Sequence, residues 1–423
     1  MSTTLHSAAH WDVAVIGGGP AGTAAATLLS KAGHKCLLLD AHHFPRYHIG
    51  ESLIPQTYDY FEALGILPKL KQSHFPEKHS VRFVSRDGKQ ASPFYFSEVL
   101  PKEKARTWQV DRAEFDQMML DHARENGVTV WEDAHVDRVQ FDGSRAVGAV
   151  VTRNHQHQLH VTSKVVIDAS GRSSILGRQL GLKSELPDLR KSSIWGYYAG
   201  AERPPGIDAG ETTIFLLPEG GWFWFIPLPN DIASVGVVAD TDKLLAKAPH
   251  HEIAFQQALE RCPWLMKRLE NSRMTGRIRG MNQLAYVNRK TSGDGWVMLG
   301  DARAFLDPIY SSGMLLALAS AHMAAERIDH GLRTGDLSGA NLGSFEPILT
   351  AGVNVIRQLI HAFYDPEFSF PRFLKQFPTQ RSALIDCLIG DVFKDMEAFS
   401  AALASMTSPP VLPELMFKHV ARS

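Results

Sequence analysis

The stretch Trp11-Asp-Val-Ala-Val-Ile-Gly17-Gly18-Gly19-Pro20-Ala21-Gly22 decides the fold, together with the alanine-rich run after it and Lys35-Cys-Leu-Leu-Leu-Asp40. It reads strand, glycine turn, helix, strand, acid: the βαβ opening of a parallel sheet. Gly17, Gly19 and Gly22 form G-x-G-x-x-G. That spacing permits a tight turn and a close approach of backbone to a pyrophosphate, whose charge the helix N-terminus favours. Asp40 closes the second strand, where a carboxylate can accept hydrogen bonds from a ribose diol. The glycine pattern alone is a weak signal. Between a strand and a helix, with an acid closing the next strand, it predicts a dinucleotide site.

Outward from this opening, Asp111 to Asn126 has helical spacing (Phe115, Met118, Met119, His122, Ala123) and a stop at Gly127. Short β-like runs are expected at 128–131, 146–152 and 164–168, and a second β-rich region over roughly 190–240. Helix is expected over 251–270 and 313–330, with an apolar strand from Trp296 to Gly300 that ends at Asp301. The tail beyond 345 reads as mainly helical, broken at Pro366, Pro371, Pro378 and Pro409-Pro410. Nucleotide-binding signals stand at both 17 and 301, so the cofactor domain must be discontinuous. The expected class is α/β. A discontinuous Rossmann-like cofactor domain takes residues 1–75, 106–185 and 286–345, an inserted β-sheet substrate domain takes 76–105 and 186–285, and 346–423 form a helical C-terminal region.

With 423 residues, 44% of them hydrophobic, and a net charge of −1, the composition is that of a globular enzyme. It offers no electrostatic case for nucleic acid or an anionic membrane as partner. Cys36, Cys262 and Cys387 are odd in number and far apart, which argues against a disulfide framework and fits a reducing cytosol. The first ten residues lack the apolar run of a signal peptide. No stretch approaches the roughly 18–20 apolar residues needed for a membrane span. A cytoplasmic location is expected. His42, His43 and His48 lack Cys or acid partners at ligand spacing, so no metal site is expected.

Two later motifs select FAD over NAD. Ile167-Asp168-Ala-Ser-Gly171-Arg172 ends a strand with a glycine turn, where a chain returns over a dinucleotide. Leu299-Gly-Asp301-Ala also ends a strand, then runs through Asp307-Pro308 into Ser311-Ser312-Gly313 and a long helix. Asp301 can bind a ribityl hydroxyl, and the Ser-Gly turn offers backbone N–H groups to an anion or to the flavin O2 edge. The three motifs in this order resemble the flavoproteins that include aromatic hydroxylases, geranylgeranyl reductases and halogenases, over roughly residues 10–330. No second G-x-G-x-x-G follows a strand. The reductant is therefore expected from a separate flavin reductase or from transient nicotinamide contact.

The run Gly221-Trp-Phe-Trp-Phe-Ile-Pro227 narrows the resemblance. On an extended strand Trp222, Trp224 and Ile226 share one face, Phe223 and Phe225 the other. Two adjacent indoles form a stiff wall whose N–H groups need partners when buried. An ordinary core strand would also read this way, but with Pro227 and the flavin motifs it resembles the Trp-x-Trp-x-Ile-Pro signature of flavin-dependent halogenases. Phe44-Pro-Arg46-Tyr-His-Ile-Gly-Glu51-Ser52-Leu-Ile-Pro55 is similar to the Gly-Glu-Ser-Leu-x-Pro stretch of that family. The resemblance implies that Arg46, Glu51 and Ser52 lie along the flavin; as bare sequence, Glu51 or Ser52 could equally cap a helix. Arg112, in Asp111-Arg-Ala-Glu-Phe-Asp116, matches a family stretch near the flavin, or is an arginine paired with nearby acids. Lys78 matches the family's catalytic lysine before a strand, with Ser80 where a glycine is usual; an isolated lysine there would read as a solvated surface residue.

What the resemblance implies is halogenation. Reduced FAD and O2 oxidise chloride or bromide to hypohalous acid, Ser312 and Gly313 hold the halide, and Trp222 and Trp224 separate flavin from substrate. Lys78 receives the oxidant, by hydrogen bond or as a haloamine. Tyr310 stands where tryptophan halogenases carry a glutamate, which points to a pyrrole or phenol, small aromatics that some relatives accept on an acyl-carrier protein. Tyr364-Asp-Pro and Leu388-Ile-Gly-Asp-Val-Phe393 resemble the pyrrolyl-carrier branch. The competing readings are an FAD-dependent monooxygenase, a geranylgeranyl-reductase-like oxidoreductase and a flavin-binding protein without activity.

Overall fold

A computed structural model describes residues 10–154, 157–245 and 250–407; Pro409-Pro410 lies outside them. The first sheet has eight strands. Strand His10–Ile16 runs parallel to Cys36–Leu39 on one side and to His157–Asp168 on the other. Trp296–Met298 continues the parallel set beyond Val166–Asp168. Parallel pairing brings the carboxyl ends of these strands to one edge, which is where ligands bind in such sheets. Gly17, Asp40 and Asp168 all follow or close strands there.

Several expectations change. The run expected at 164–168 begins at His157, because its first half pairs antiparallel with Arg145–Arg153. Ala134–Asp142 adds a strand that was not expected. Its buried positions Val136 and Val139 stand among charged neighbours, as suits a sheet edge with one face in water. Helix 251–270 is two helices, His251–Glu260 and Pro263–Leu269, since Pro263 cannot donate in a continuing helix but suits a first turn.

The second sheet has seven strands, ordered Arg273–Met281, Lys191–Ala199, Ile232–Asp240, Trp222–Pro227, Thr212–Leu216, Ser80–Val84, Phe94–Tyr95. Its edge strand Arg273–Met281 lies beyond the β-rich region expected from sequence. Ser80–Val84 pairs parallel with Thr212–Leu216, so two distant segments build one sheet. The tryptophan strand is central and buried throughout. Alternation holds: Trp222, Trp224 and Ile226 join the core shared with Val13 and Met314, whereas Phe223 and Phe225 join a separate core with Phe255 and Leu265.

Helix Ser312–Thr334 and the tail helix Glu346–Tyr364 bury Leu315, Leu318, Val353 and Ile356 in the larger core. The tail continues helical to Ala404. Cys36, Cys262 and Cys387 are free and buried. Among the described residues, no helix is long and apolar enough to cross a membrane.

Candidate active site

A cavity of about 1340 Å³ runs from the glycine turn, past Asp301, to the start of helix Ser312–Thr334 and the tryptophan strand. At one end Gly17 has φ +105, and a Cβ there would sit 2.3 Å from the Ala169 carbonyl oxygen. Only glycine tolerates both. Helix Pro20–Lys31 starts at Gly19 with no side-chain cap, leaving its first N–H groups free for an anion. Asp40, at the cavity wall, accepts from the Gly18 N–H at 2.7 Å. Arg46 reaches the same corner, its Nη1 3.0 Å from Asp116. A pyrophosphate and an adenosine diol fit these groups.

Arg112 also lines the cavity, and it forks onto Asp116 at 2.8 and 3.0 Å while donating to the Ile49 carbonyl. Asp111 caps the helix Arg112–Glu125, so the ion-pair and cavity-lining readings of Arg112 both hold. Neither Glu51 nor Ser52 caps a helix; the next one, Thr57–Leu64, starts from Gln56. Both line the cavity, as do Gly171 and Asp301. Burial pushes the Asp301 carboxyl up to about 6, against the pull of Arg172 and Arg112.

Two expected cofactor contacts are elsewhere. A Cβ on Gly22 would meet the Gly17 carbonyl oxygen at 1.9 Å: this glycine packs helix against turn and does not line the cavity. Asp168 is buried behind the wall, accepting from the Ser170 and Leu176 N–H groups and the Ser170 hydroxyl. It shapes the return turn from behind.

At the far end Ser311 adopts φ +53, and helix Ser312–Thr334 begins with no side-chain cap. A Cβ on Gly313 would meet nothing within 4 Å, so the helix start faces open cavity. Free N–H groups and the positive helix end suit a halide. Trp222 and Trp224 form the adjoining wall, ring centroids 6.1 Å apart. Each indole N–H is satisfied, by Tyr364 Oη at 2.8 Å and by Ser234 Oγ at 3.0 Å.

Lys78 sits on the short strand Glu77–Lys78, paired with Thr107–Trp108, and is buried. Its Nζ donates to Ser52 Oγ at 2.9 Å and to the Leu53 carbonyl at 3.0 Å, and it makes no ion pair among the described residues. Burial alone lowers its pKa to about 7. Nζ stands one hydroxyl behind the wall: Ser52 and Thr212, 3.0 Å apart, line the cavity in front of it.

Comparison with known proteins agrees with this geometry. Residues 10–338 match a family described as FAD binding domain. The 1H-pyrrole-2-carbonyl-[peptidyl-carrier protein] chlorinase of Pseudomonas fluorescens is 30% identical over 90% of this chain and 90% of its own. A brominase of the same description from Pseudoalteromonas luteoviolacea is 30% identical over 92% and 94%. The solved structure of the flavin-dependent brominase Bmp2 superposes with a TM-score of 0.83 at 30% identity, covering 94% of this chain and 98% of that one. The chain belongs to the flavin-dependent halogenases. Its cofactor is FAD and its co-substrate a halide.

In this halogenase, sequence reading missed groups that complete the wall. Thr212, Gln109, Tyr197 and Gly236 belong to no motif. Gln109 donates to Thr212 at 2.8 Å, fixing the hydroxyl beside Ser52. A Cβ on Gly236 would strike the Trp224 ring at 2.2 Å. Only a strand-pairing register could have exposed that relation, and register is not local information.

Proposed function

We propose that this halogenase takes FADH2 from a separate flavin reductase and, with O2 and chloride or bromide, halogenates a pyrrole or phenol presented on an acyl-carrier protein. The observation that carries the reading is Lys78: a buried amine, free of carboxylates, hydrogen-bonded to a serine in the cavity wall. The carrier-bound substrate is supported by what the Pseudomonas fluorescens relative's name says it acts on. Tyr310, in place of an acid before the Ser-Gly turn, supports a ring electron-rich enough to react without one.

Reduced FAD, when bound, supplies with O2 the two-electron oxidation of halide to hypohalous acid. The chain's own residues do the rest. Gly17, Gly19, Asp40 and Arg46 hold the nucleotide end; Glu51, Ser52, Arg112, Gly171 and Asp301 line the path of the flavin. Ser312 and Gly313 hold the halide through backbone N–H groups. Trp222 and Trp224 keep substrate away from the flavin, so that oxygen is not transferred directly. With its pKa near 7, part of the Lys78 amine is neutral and can take the halogen: an N–X bond forms and water leaves. The protonated fraction can instead hydrogen-bond hypohalous acid. Ser52, which accepts from Nζ, is the group through which the amine meets the cavity.

In this reading residues 1–75, 106–185 and 286–345 are the cofactor domain, 76–105 and 186–285 the substrate domain. Three unpaired cysteines fit a cytoplasmic setting. The test is incubation with a flavin reductase, halide, O2 and a pyrrole and phenol panel, both free and carrier-bound, read by mass. Halogen mass shifts are expected; hydroxylated products in every arm overturn the reading. Lys78→Ala is expected to abolish halogenation while flavin binding and hydrogen peroxide release persist. Unchanged turnover removes Lys78 from the mechanism.

A further inference from the structure

Each halide oxidation consumes a proton. In balance, FADH2 + O2 + X− + H+ gives FAD + HOX + H2O, and the second step, ArH + HOX to ArX + H2O, returns none. The proton must reach a cavity built to keep water from the oxidant. We propose that Glu51 hands this proton into the cavity and that Tyr197 and Tyr47 resupply it from solvent.

The geometry is a continuous chain of hydroxyls. Tyr197 Oη donates to Glu51 Oε1 at 2.7 Å. Tyr197 Oη and Tyr47 Oη lie 3.0 Å apart, and Tyr47 Oη accepts from Trp195 Nε1 at 2.6 Å. The Tyr197 proton is committed to the carboxylate, so Tyr47 must be the donor of the middle bond. The Trp195 N–H then leaves the Tyr47 hydrogen free to point inward. Every donor in the chain thus faces Glu51. Its outer end is open: Tyr47 is 44% exposed, its ring stacked under the Arg279 guanidinium at 4.0 Å.

The inner end suits a proton donor. Glu51 is 3% exposed, lines the main cavity and makes no ion pair among the described residues. Its Oε2 makes no hydrogen bond of normal geometry, although the Ser234 hydroxyl is near enough to favour the anion. Burial raises its pKa to about 7, eased by Tyr197, Ser234 and Arg112 and reinforced by the negative charge of Asp111. A second cavity, about 390 Å³, touches Glu51, Tyr197, Tyr47, His48, Arg112 and Arg279, all of which except Tyr197 also line the main one. The proton moves in one concerted shift: Glu51 gives its own to the cavity, Tyr197 gives to Glu51, Tyr47 to Tyr197, and water to Tyr47. Neither tyrosine has to ionise, which matters because burial raises the Tyr197 pKa far out of reach.

The proposal rests on the halogenase chemistry of the site, and its test separates the two. Hypohalous acid is trapped with a β-diketone, so no natural substrate is needed. In the holoenzyme, Glu51→Gln keeps an acceptor for Tyr197 and is expected to cut hypohalous acid formation by about 10²-fold. It should also remove the limb of the pH profile that falls as pH rises through 7. Tyr197→Phe, the second variant, should slow the reaction with a raised solvent deuterium isotope effect, restored by a small acid such as formic acid. Infrared spectra of the apoprotein should show a protonated carboxyl band that titrates near 7 and is absent in Glu51→Gln. Unchanged rate and pH profile in Glu51→Gln, an unchanged isotope effect in Tyr197→Phe, or loss of FAD affinity in Glu51→Gln would each overturn the proposal. A wild type that yields no trapped oxidant but shows the titrating band would overturn the halogenase reading instead.

Discussion

Burying Lys78 works against folding. Its pKa falls from 10.5 to about 7 through desolvation, and each unit corresponds to about 1.4 kcal/mol. Between those values the unfolded chain binds more protons than the folded one, so this group makes stability rise with pH across the window. Lys78→Met should therefore stabilise the protein by about 1–3 kcal/mol below pH 7, the gain shrinking toward pH 10. Urea melts at several pH values measure this; destabilisation at every pH would contradict it. A lysine that costs stability yet stays buried fits a group kept for its chemistry. Its motif was legible in the sequence through family resemblance. Its burial was not, because a lysine in Phe75-Pro-Glu-Lys78 reads equally as a surface residue until Thr107–Trp108 pairs against it. Glu51 was expected beside the flavin and Tyr47 belongs to the same motif, but Tyr197 stands 146 residues from Glu51 and 150 from Tyr47, beyond any local pattern.

At the scale of elements, period-two alternation assigned both faces of the tryptophan strand correctly, since a one-residue slip would bring every side chain to the opposite core. The same rule failed for the edge strands Ala134–Asp142 and Arg273–Met281, whose pairing register shifts, between Val136 and Arg138 in the first and opposite Trp195 and Tyr197 in the second. The strand also depends on a small neighbour. Gly236 lies opposite Trp224 on one side and Trp195 on the other. A methyl there would meet the Trp224 ring at 2.2 Å and the Trp195 Cβ at 2.6 Å. Gly236→Ala is expected to cost about 1–3 kcal/mol by overpacking and to tilt the wall. Thermal melts, a shifted tryptophan emission, and more hydrogen peroxide released per product would record it; an unchanged emission and coupling ratio would show that the wall does not need this gap.

Over the whole molecule, the helical tail completes the site that the earlier segments begin. Tyr364, at the end of the helix Glu346–Tyr364, accepts from the Trp222 N–H and donates to Asp307 Oδ2 at 2.9 Å. Arg357 and His361, about two turns and one turn before it, hold Asp188 at 2.8 Å each. The sequence showed a helical tail but not what it touches, because these partners are 57 to 173 residues apart in the chain. Tyr364→Phe should cost about 1–3 kcal/mol, since it leaves a buried indole N–H and a carboxylate each short of a partner. It should also lower product per FADH2 oxidised while FAD affinity holds. Coupling equal to wild type would confine Tyr364 to a packing role.

The parallel pairing of Ser80–Val84 with Thr212–Leu216 sets a limit on how relatives can be recombined. Transplanting residues 191–281 alone would seat five foreign strands beside a resident pair from 80–95 that was selected alongside different neighbours. A chimera of two relatives must move both blocks together, or the seam will run through the sheet that carries Trp222 and Trp224.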